Sequence, residues 1–261
     1  MNVILTVLKA EWMKTRHTAL PWVALLGGLF IPLVQGLIYL FRWRAFVPEA
    51  GSNGWDNLLS TCVGLSGGLL FPFLAIMLVA FFHHLEIKAN AWKRLLVMPV
   101  GRSALYWGKW VFLLLLLLGA VLALLVGIVL ISILLNGLRP SLELPLSMLP
   151  FGTLLGYLLR FYLSFLAILT LQHVMSFFAN NALIPVMVGV FAYILSLVLV
   201  QGWSYAVYDP YAFPLILDWD TGSKVAQCHW LGLYKTEWLS LLYSIGFAWL
   251  GVLVFKGSLK R

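Results

Sequence analysis

The chain alternates short polar stretches with long apolar runs. After an opening that carries Lys9, Glu11, Lys14 and Arg16, apolar runs occupy residues 20–41, 59–82, 110–135, 150–178, 182–201 and 238–255. A helix needs roughly 20 apolar residues to cross about 30 Å of hydrocarbon. The pattern therefore predicts six transmembrane helices. Pro21, Pro32, Pro72 and Pro185 fall inside or at the edge of these runs, which is tolerated in a membrane where neighbouring helices satisfy the freed backbone groups. The fourth and fifth runs are separated only by Ala179, Asn180 and Asn181, a tight hairpin or a broken helix.

Two stretches outside the runs have their own patterns. Residues 1–18 are too short and too polar to span, yet Leu5, Leu8 and Trp12 recur on one helical face while Thr6, Lys9 and Arg16 take another. That predicts an amphipathic helix lying along the membrane surface. Residues 202–237 are long for a connection and dense in aromatics, Trp203, Tyr205, Tyr208, Tyr211 and Trp219 among them. Such a segment either dips into the interface or forms a structured loop within an aromatic belt. No internal repeat or low-complexity linker divides the chain, so it reads as one all-α integral membrane domain over residues 1–261.

Composition narrows the class. With 62% hydrophobic and 10% charged residues, the chain lacks the roughly one quarter of charged residues that a soluble domain carries. The formal charge of +8 does not indicate nucleic acid, because the basic residues sit in short clusters between apolar runs. With the amino terminus inside, the inner pieces hold eleven basic residues (Lys9, Lys14, Arg16, Lys88, Lys93, Arg94, Arg102, Lys109, Lys256, Lys260 and Arg261) against Glu11 and Glu86. The outer pieces hold five (Arg42, Arg44, Arg139, Lys224, Lys235) against seven acids. Both termini are therefore expected in the cytoplasm. The first apolar run is too long for a cleavable signal peptide. Cys62 and Cys228 show no metal spacing and no disulfide framework, and pair only if both lie near the outer face.

The most informative polar stretch follows the second run: Glu86-Ile-Lys88-Ala-Asn-Ala-Trp92-Lys93-Arg94-Leu-Leu-Val-Met-Pro99-Val-Gly-Arg102, with Lys109 beyond it. Trp92, Leu95 and Leu96 make a short apolar face among charges, and Pro99 ends it before the third run. This is a surface helix that offers Trp92 as an anchor and Glu86, Lys93 and Arg94 as a charged rim to something cytoplasmic.

On these residues the chain resembles the permease subunits of type-2 ATP-binding-cassette exporters, especially the short permeases of lantibiotic and bacitracin self-protection. Leu8-Lys-Ala-Glu11-Trp12-Met-Lys14 is similar to that family's interfacial helix, and Glu86 to Arg102 with Pro99 looks like its coupling helix. Where the family often has Gly-Thr before the leucine pair, this chain has Ala91-Trp92. The resemblance implies re-entrant outer helices before the last span and a second permease copy or sister permease. It also implies cytoplasmic ATPase subunits that bind the Glu86–Arg102 loop and carry ATP and Mg, the bacterial inner membrane as the location, and a hydrophobic or amphipathic cargo such as an antimicrobial peptide. No phosphate loop of the form Gly-x4-Gly-Lys-Ser/Thr occurs in the chain. ATP hydrolysis is therefore expected on a partner, and this chain is not expected to be an enzyme or to bind a cofactor or metal.

Two other classes compete. Gly64-Leu65-Ser66-Gly67 spells the serine motif of rhomboid-type intramembrane proteases, but a serine nucleophile needs a histidine within hydrogen-bond reach. Ser66 lies near the outer end of its run, His173 near the inner end of the fourth, and His83 and His84 inside, which leaves only His229 of the outer segment as a partner, without the small-residue surroundings of the rhomboid histidine. Gly64, Gly67 and Gly68 fit close helix packing instead. A secondary transporter or channel places ionisable groups at mid-membrane, whereas the six predicted spans contain Arg160 and no carboxylate, with Gln35, Gln172 and His173 as the other notable polar groups. That arginine either faces a pathway for an anionic or amphipathic cargo or snorkels to the outer surface.

Overall fold

The computed structural model describes residues 3–48, 54–88, 101–145, 149, 151–179, 181–216 and 233–258. It is all-helical. A short helix α1 (Val3–Thr15) precedes α2 (Leu20–Phe41). Next come α3 (Gly54–Leu65), a π-helical turn (Ser66–Leu70) and α4 (Phe71–Lys88), which together form one continuous rod. The chain continues as α5 (Arg102–Leu138), α6 (Phe151–Phe178), α7 (Leu183–Leu199), α8 (Phe213–Ile216) and α9 (Lys235–Ser258).

Five of these rods are long and apolar enough to cross a membrane: α2, α3–α4, α5, α6 and α9. The sixth predicted span, residues 182–201, forms α7 with 17 residues, at the lower limit for crossing. It ends early because the chain turns at once, Trp203 donating back to the carbonyl of Leu199 at 2.8 Å, and re-enters the bundle. The α3–α4 rod, α5 and α9 overrun their apolar runs. The α3–α4 rod has 35 residues and α5 has 37, so Glu86 and Lys109, expected in a connecting loop, are both helical. The reason is that a helix continues while its polar ends find partners, whereas a hydropathy window stops at the first charge.

Small residues set the closest approaches. A side-chain carbon on Gly28 of α2 would lie 2.1 Å from the carbonyl oxygen of Ala120 in α5, and one on Gly127 would meet Pro32 at 2.9 Å. With lipid as the competing solvent, such backbone proximity is what holds membrane helices together. Helices α6 and α9 are joined by hydroxyls instead. Ser240 Oγ donates to the carbonyl of Leu163 at 2.6 Å, and Thr170 and Ser244 share a hydrogen bond of 2.9 Å.

Within the glycine run at 64–68, Gly68 does something other than the expected packing. A side chain on Gly68 would meet nothing within 4 Å. In an α-helical register Pro72 would donate to the carbonyl of Gly68, but proline has no N–H. That carbonyl instead accepts the hydroxyl of Tyr193 from α7 at 2.8 Å, and the π turn opens the helix wall there, Phe71 N–H bonding to the carbonyl of Ser66.

The aromatic stretch after α7 folds back into the bundle as far as the structure describes it. Tyr211, Ala212 and Phe213 are buried, and Gln172 Nε2 of α6 donates to the Tyr211 hydroxyl at 2.8 Å. Burial pushes the Tyr211 phenol up to about 12. Asp209 closes the turn, its Oδ1 accepting from Tyr211 N at 3.0 Å, while its other oxygen takes the Ser196 hydroxyl. Residues 217–232 lie outside the described residues.

Two outcomes test this packing. Tyr193→Phe removes the donor to the half-buried Gly68 carbonyl and is expected to destabilise the protein by about 1–3 kcal/mol. The loss should shrink in a Pro72→Ala background, where the helix can bond that carbonyl itself, as read by thermal unfolding in detergent. Gly28→Val is expected to cost about 1–3 kcal/mol or prevent assembly, while Gly119→Ala, whose new carbon meets nothing within 4 Å, stays neutral or gains.

Candidate functional site

The end of the bundle where α4 stops and α5 begins, the two limbs that flank residues 89–100, also receives α1. The amphipathic pattern of α1 left its third face unread. Val7, Glu11 and Thr15, spaced by four, are buried against the bundle, while Leu5 and Trp12 are exposed. Val7 fits over Gly108 of α5, where a side-chain carbon would lie 2.4 Å from Val7 Cγ1. Thr15 and Thr18 then turn the chain into α2. Thr18 Oγ1 donates to the carbonyl of Thr15 at 2.7 Å and accepts from Leu20 N at 3.3 Å, satisfying an otherwise orphaned helix-start donor.

This docking brings four charges together. Lys109 Nζ lies 2.6 Å from Glu11 Oε1 and in direct contact with Glu86 Oε1. Lys14 Nζ lies 2.7 Å from the same Glu86 oxygen and touches Glu11 Oε2. Side-chain exposure is 1% for Lys109 and Glu86, 6% for Glu11 and 34% for Lys14. Beneath them the ring of Phe82 receives Lys14 at 5.0 Å and Lys109 at 5.3 Å from its centroid, both within cation–π range. Two acids and two bases make the cluster neutral, the condition under which charges are kept in a low-dielectric interior. Burial opposes the charge on Lys14, but Glu86 and Glu11 beside it prevail and raise its pKa above the ordinary lysine value.

One turn along α4 from Glu86, His83 reaches α6. Its Nε2 lies 3.0 Å from His173 Nδ1, both rings being buried. Around the pair stand Phe82, Tyr106 of α5 and Phe177 of α6. Tyr106 and Phe177 pack in turn on Val252 and Phe255 near the end of α9. Charges and rings thus tie α1, α4, α5, α6 and α9 into one node.

The structure divides the expected site residues. Glu11, Lys14 and Glu86 converge, and Glu86 is no rim charge: it points inward because Lys109 and Lys14 wait there. Trp12 stays on the exposed face of α1 and Lys88 is exposed at the end of α4. Arg102 opens α5. Trp92, Lys93, Arg94 and Pro99 lie outside the described residues. Sequence reading placed Lys109 only as the tail of a loop and did not pair His83 with His173. The available signal was complementarity, two acids and two lysines at the inner ends of three segments.

At the opposite end Arg160, 28% exposed at its side chain, neither stands alone nor simply snorkels. Its guanidinium lies 4.4 Å above the Tyr234 ring, and Nε is 4.0 Å from Oε1 of the buried Glu237. Glu237 also accepts from Tyr234 N at 2.7 Å, closing the first turn of α9. Glu237, expected in the outer loop, is thus helical and internal. Ser66 is buried within the π turn with no hydrogen-bond partner for its hydroxyl among the described residues, so no nucleophile and base pair is assembled around it there.

These features define a multi-pass α-helical membrane protein. The family model described as ABC-2 family transporter protein matches residues 7–196, more than half of the chain, and the chain belongs to that family. No curated protein and no solved structure is significantly similar to it. The matched region contains the whole ion cluster and the histidine pair.

Removing one partner from a buried ion group leaves an uncompensated charge. Lys109→Met is therefore expected to cost about 3–5 kcal/mol, and Glu86→Gln added to it to recover part of the loss, as read from thermal unfolding in detergent. Lys14, whose raised pKa means its contribution is complete below the unfolded lysine value of about 10.4 and lost only above it, is expected to add no pH dependence between pH 7 and 10. Comparing Lys14→Met with the wild type over that range checks this.

Proposed function

We propose that this chain is the membrane-embedded half of an ATP-driven exporter. Two permeases, identical or sister chains, stand over two cytoplasmic ATPases that carry ATP and Mg, with both termini of the chain in the cytoplasm of a bacterial inner membrane. The observation that carries this reading is the position of the ion cluster. Glu86 and Lys109 stand on the two helices that flank residues 89–100, and Glu11 and Lys14 fasten α1 to them. A push that reaches the ends of α4 and α5 finds them fastened to each other and to α1, because breaking the cluster exposes unpaired buried charge. Closure of the ATPases on the loop would therefore move α1, α4 and α5 together, and through Phe82, His83 and Tyr106 also α6 and α9.

Within the loop, Trp92 is the apolar anchor and Lys93 and Arg94, with Lys88 and Arg102 at its ends, are the charged rim. Pro99 aims the segment relative to α5. Buried aromatic anchors commonly contribute about 2 kcal/mol or more to an interface, while rim charges act mainly on association rate and salt sensitivity. The cargo is hydrophobic or amphipathic, a peptide antibiotic being the class the sequence resemblance suggests. Arg160, partly exposed beside Tyr234, is the candidate contact for an anionic group on it.

Three measurements test the reading. Trp92→Ala is expected to reduce ATPase co-purification and cargo-stimulated hydrolysis about tenfold or more, far beyond the effect of Lys93→Ala, with Pro99→Ala also impaired. Full retention of coupling in Trp92→Ala at matched protein levels would remove the loop as a docking surface. Reporter fusions after Arg261 and within residues 223–227 are expected to report inside and outside respectively, and an external carboxy terminus would overturn the topology.

A further inference from the structure

We propose that His83 and His173 form a proton-binding site that holds α4 against α6 while the pair is neutral and releases them when it takes up further protons. The hydrogen bond between His83 Nε2 and His173 Nδ1, 3.0 Å long, requires one nitrogen to donate and the other to be bare. Two neutral imidazoles supply that arrangement in either tautomeric order.

A proton added to an outward nitrogen creates an imidazolium in a fully buried site. Among the described residues His83 Nδ1 and His173 Nε2 are buried with no hydrogen-bond partner, so none of these residues accepts from the new cation. One more proton removes the bare nitrogen and with it the bond, leaving two cations in contact.

The surroundings do not compensate these charges. From α5 come Lys109 and the phenol of Tyr106, and from α1 come Lys14 and Glu11. On α4 itself stand Glu86 and the exposed His84. On α6 the neighbour is Phe177, and α9 presents Val252 and Phe255. Both carboxylates are already paired with the two lysines, so the cluster is neutral as a whole and offers the pair no net negative charge.

Once the helices part, water solvates each ring and each titrates near the ordinary histidine value of about 6.5. The parted state then binds more protons than the locked one, so the lock weakens as pH falls below that value. The weakening is about tenfold per pH unit for each ring that charges on opening, and about a hundredfold for both. Because the pair lies one turn from Glu86 on the same helix, release at the histidines frees the inner end of α4, where the ion cluster sits. Acidification on that side of the membrane is then a signal the protein reads in its own packing.

The test uses the purified full-length chain in detergent and does not depend on transport. Thermal unfolding is measured at pH 7.5 and 5.5 for wild type, His83→Leu, His173→Leu and the double variant. The expected result is a wild-type Tm that falls by several degrees on acidification, and a double variant whose fall is much smaller. The coupling between the two positions, present at pH 7.5, should vanish or change sign at pH 5.5. Replacing the exposed His84 by Gln should leave the wild-type fall in place. Equal falls in wild type and double variant, or a coupling that is the same at both pH values, would overturn the proposal. If the leucine variants do not fold, His173→Gln, which keeps a donor and an acceptor but cannot charge, is compared with wild type by the same criterion.

Discussion

A charge in a medium of low dielectric is stable only when its counter-charge is held at contact, and at the loop end of this bundle that condition sets the arrangement of helices. Lys109 is 1% exposed at its side chain and lies on α5; its counter-charges come from α1 and α4. Neither acid reaches it unless α1 folds back along the start of α5 and α4 stops beside it. The requirement is reciprocal, since Glu86 also depends on Lys14. The cluster therefore acts as a register pin: it specifies where three segments meet, while the apolar contacts around it contribute area without direction. Replacing such a cluster by fitted apolar residues is often neutral for stability, which suits a role in placing and moving the helices as one.

The same constraint governs the backbone. A carbonyl freed by a proline inside a membrane must find a donor from a neighbouring helix, and Gly68 finds the hydroxyl of Tyr193. That bond joins the α3–α4 rod to α7 away from the ion cluster. Farther along α6, Gln172 clasps the returning segment through Tyr211, and a side-chain carbon on Gly189 of α7 would lie 1.9 Å from Gln172 Nε2. The glycine is needed there for the room it leaves to the amide. Interior polar groups thus fasten the rod at its π turn and near its Lys88 end, and Phe71, Phe161, Phe165 and the leucines around them fill the apolar core.

At the end of the bundle where α4 stops and α5 begins, the helices are firmly tied. The ion cluster and the ring cluster of Phe82, His83, Tyr106, His173 and Phe177 supply this tie by different means, one electrostatic and one by shape and a single hydrogen bond.

Much of the architecture was legible in the chain. Residues 20–41 appear as α2 without change, and 150–178 differ by one residue, because a long apolar run bounded by polar residues has few options except to span a membrane as a helix. The polar ends read less well. Glu86, Lys109 and Glu237 were assigned to loops because a linear profile treats charge as a stop, and Arg160 was left between two placements. Their true positions depend on partners 23 to 98 residues away in the chain, a separation that no local window spans. By itself, then, the sequence determined the solvent, the number of apolar segments and the family. Only the tertiary structure decided which polar groups are interior, since that depends on which distant side chain arrives to neutralise or hydrogen-bond each one.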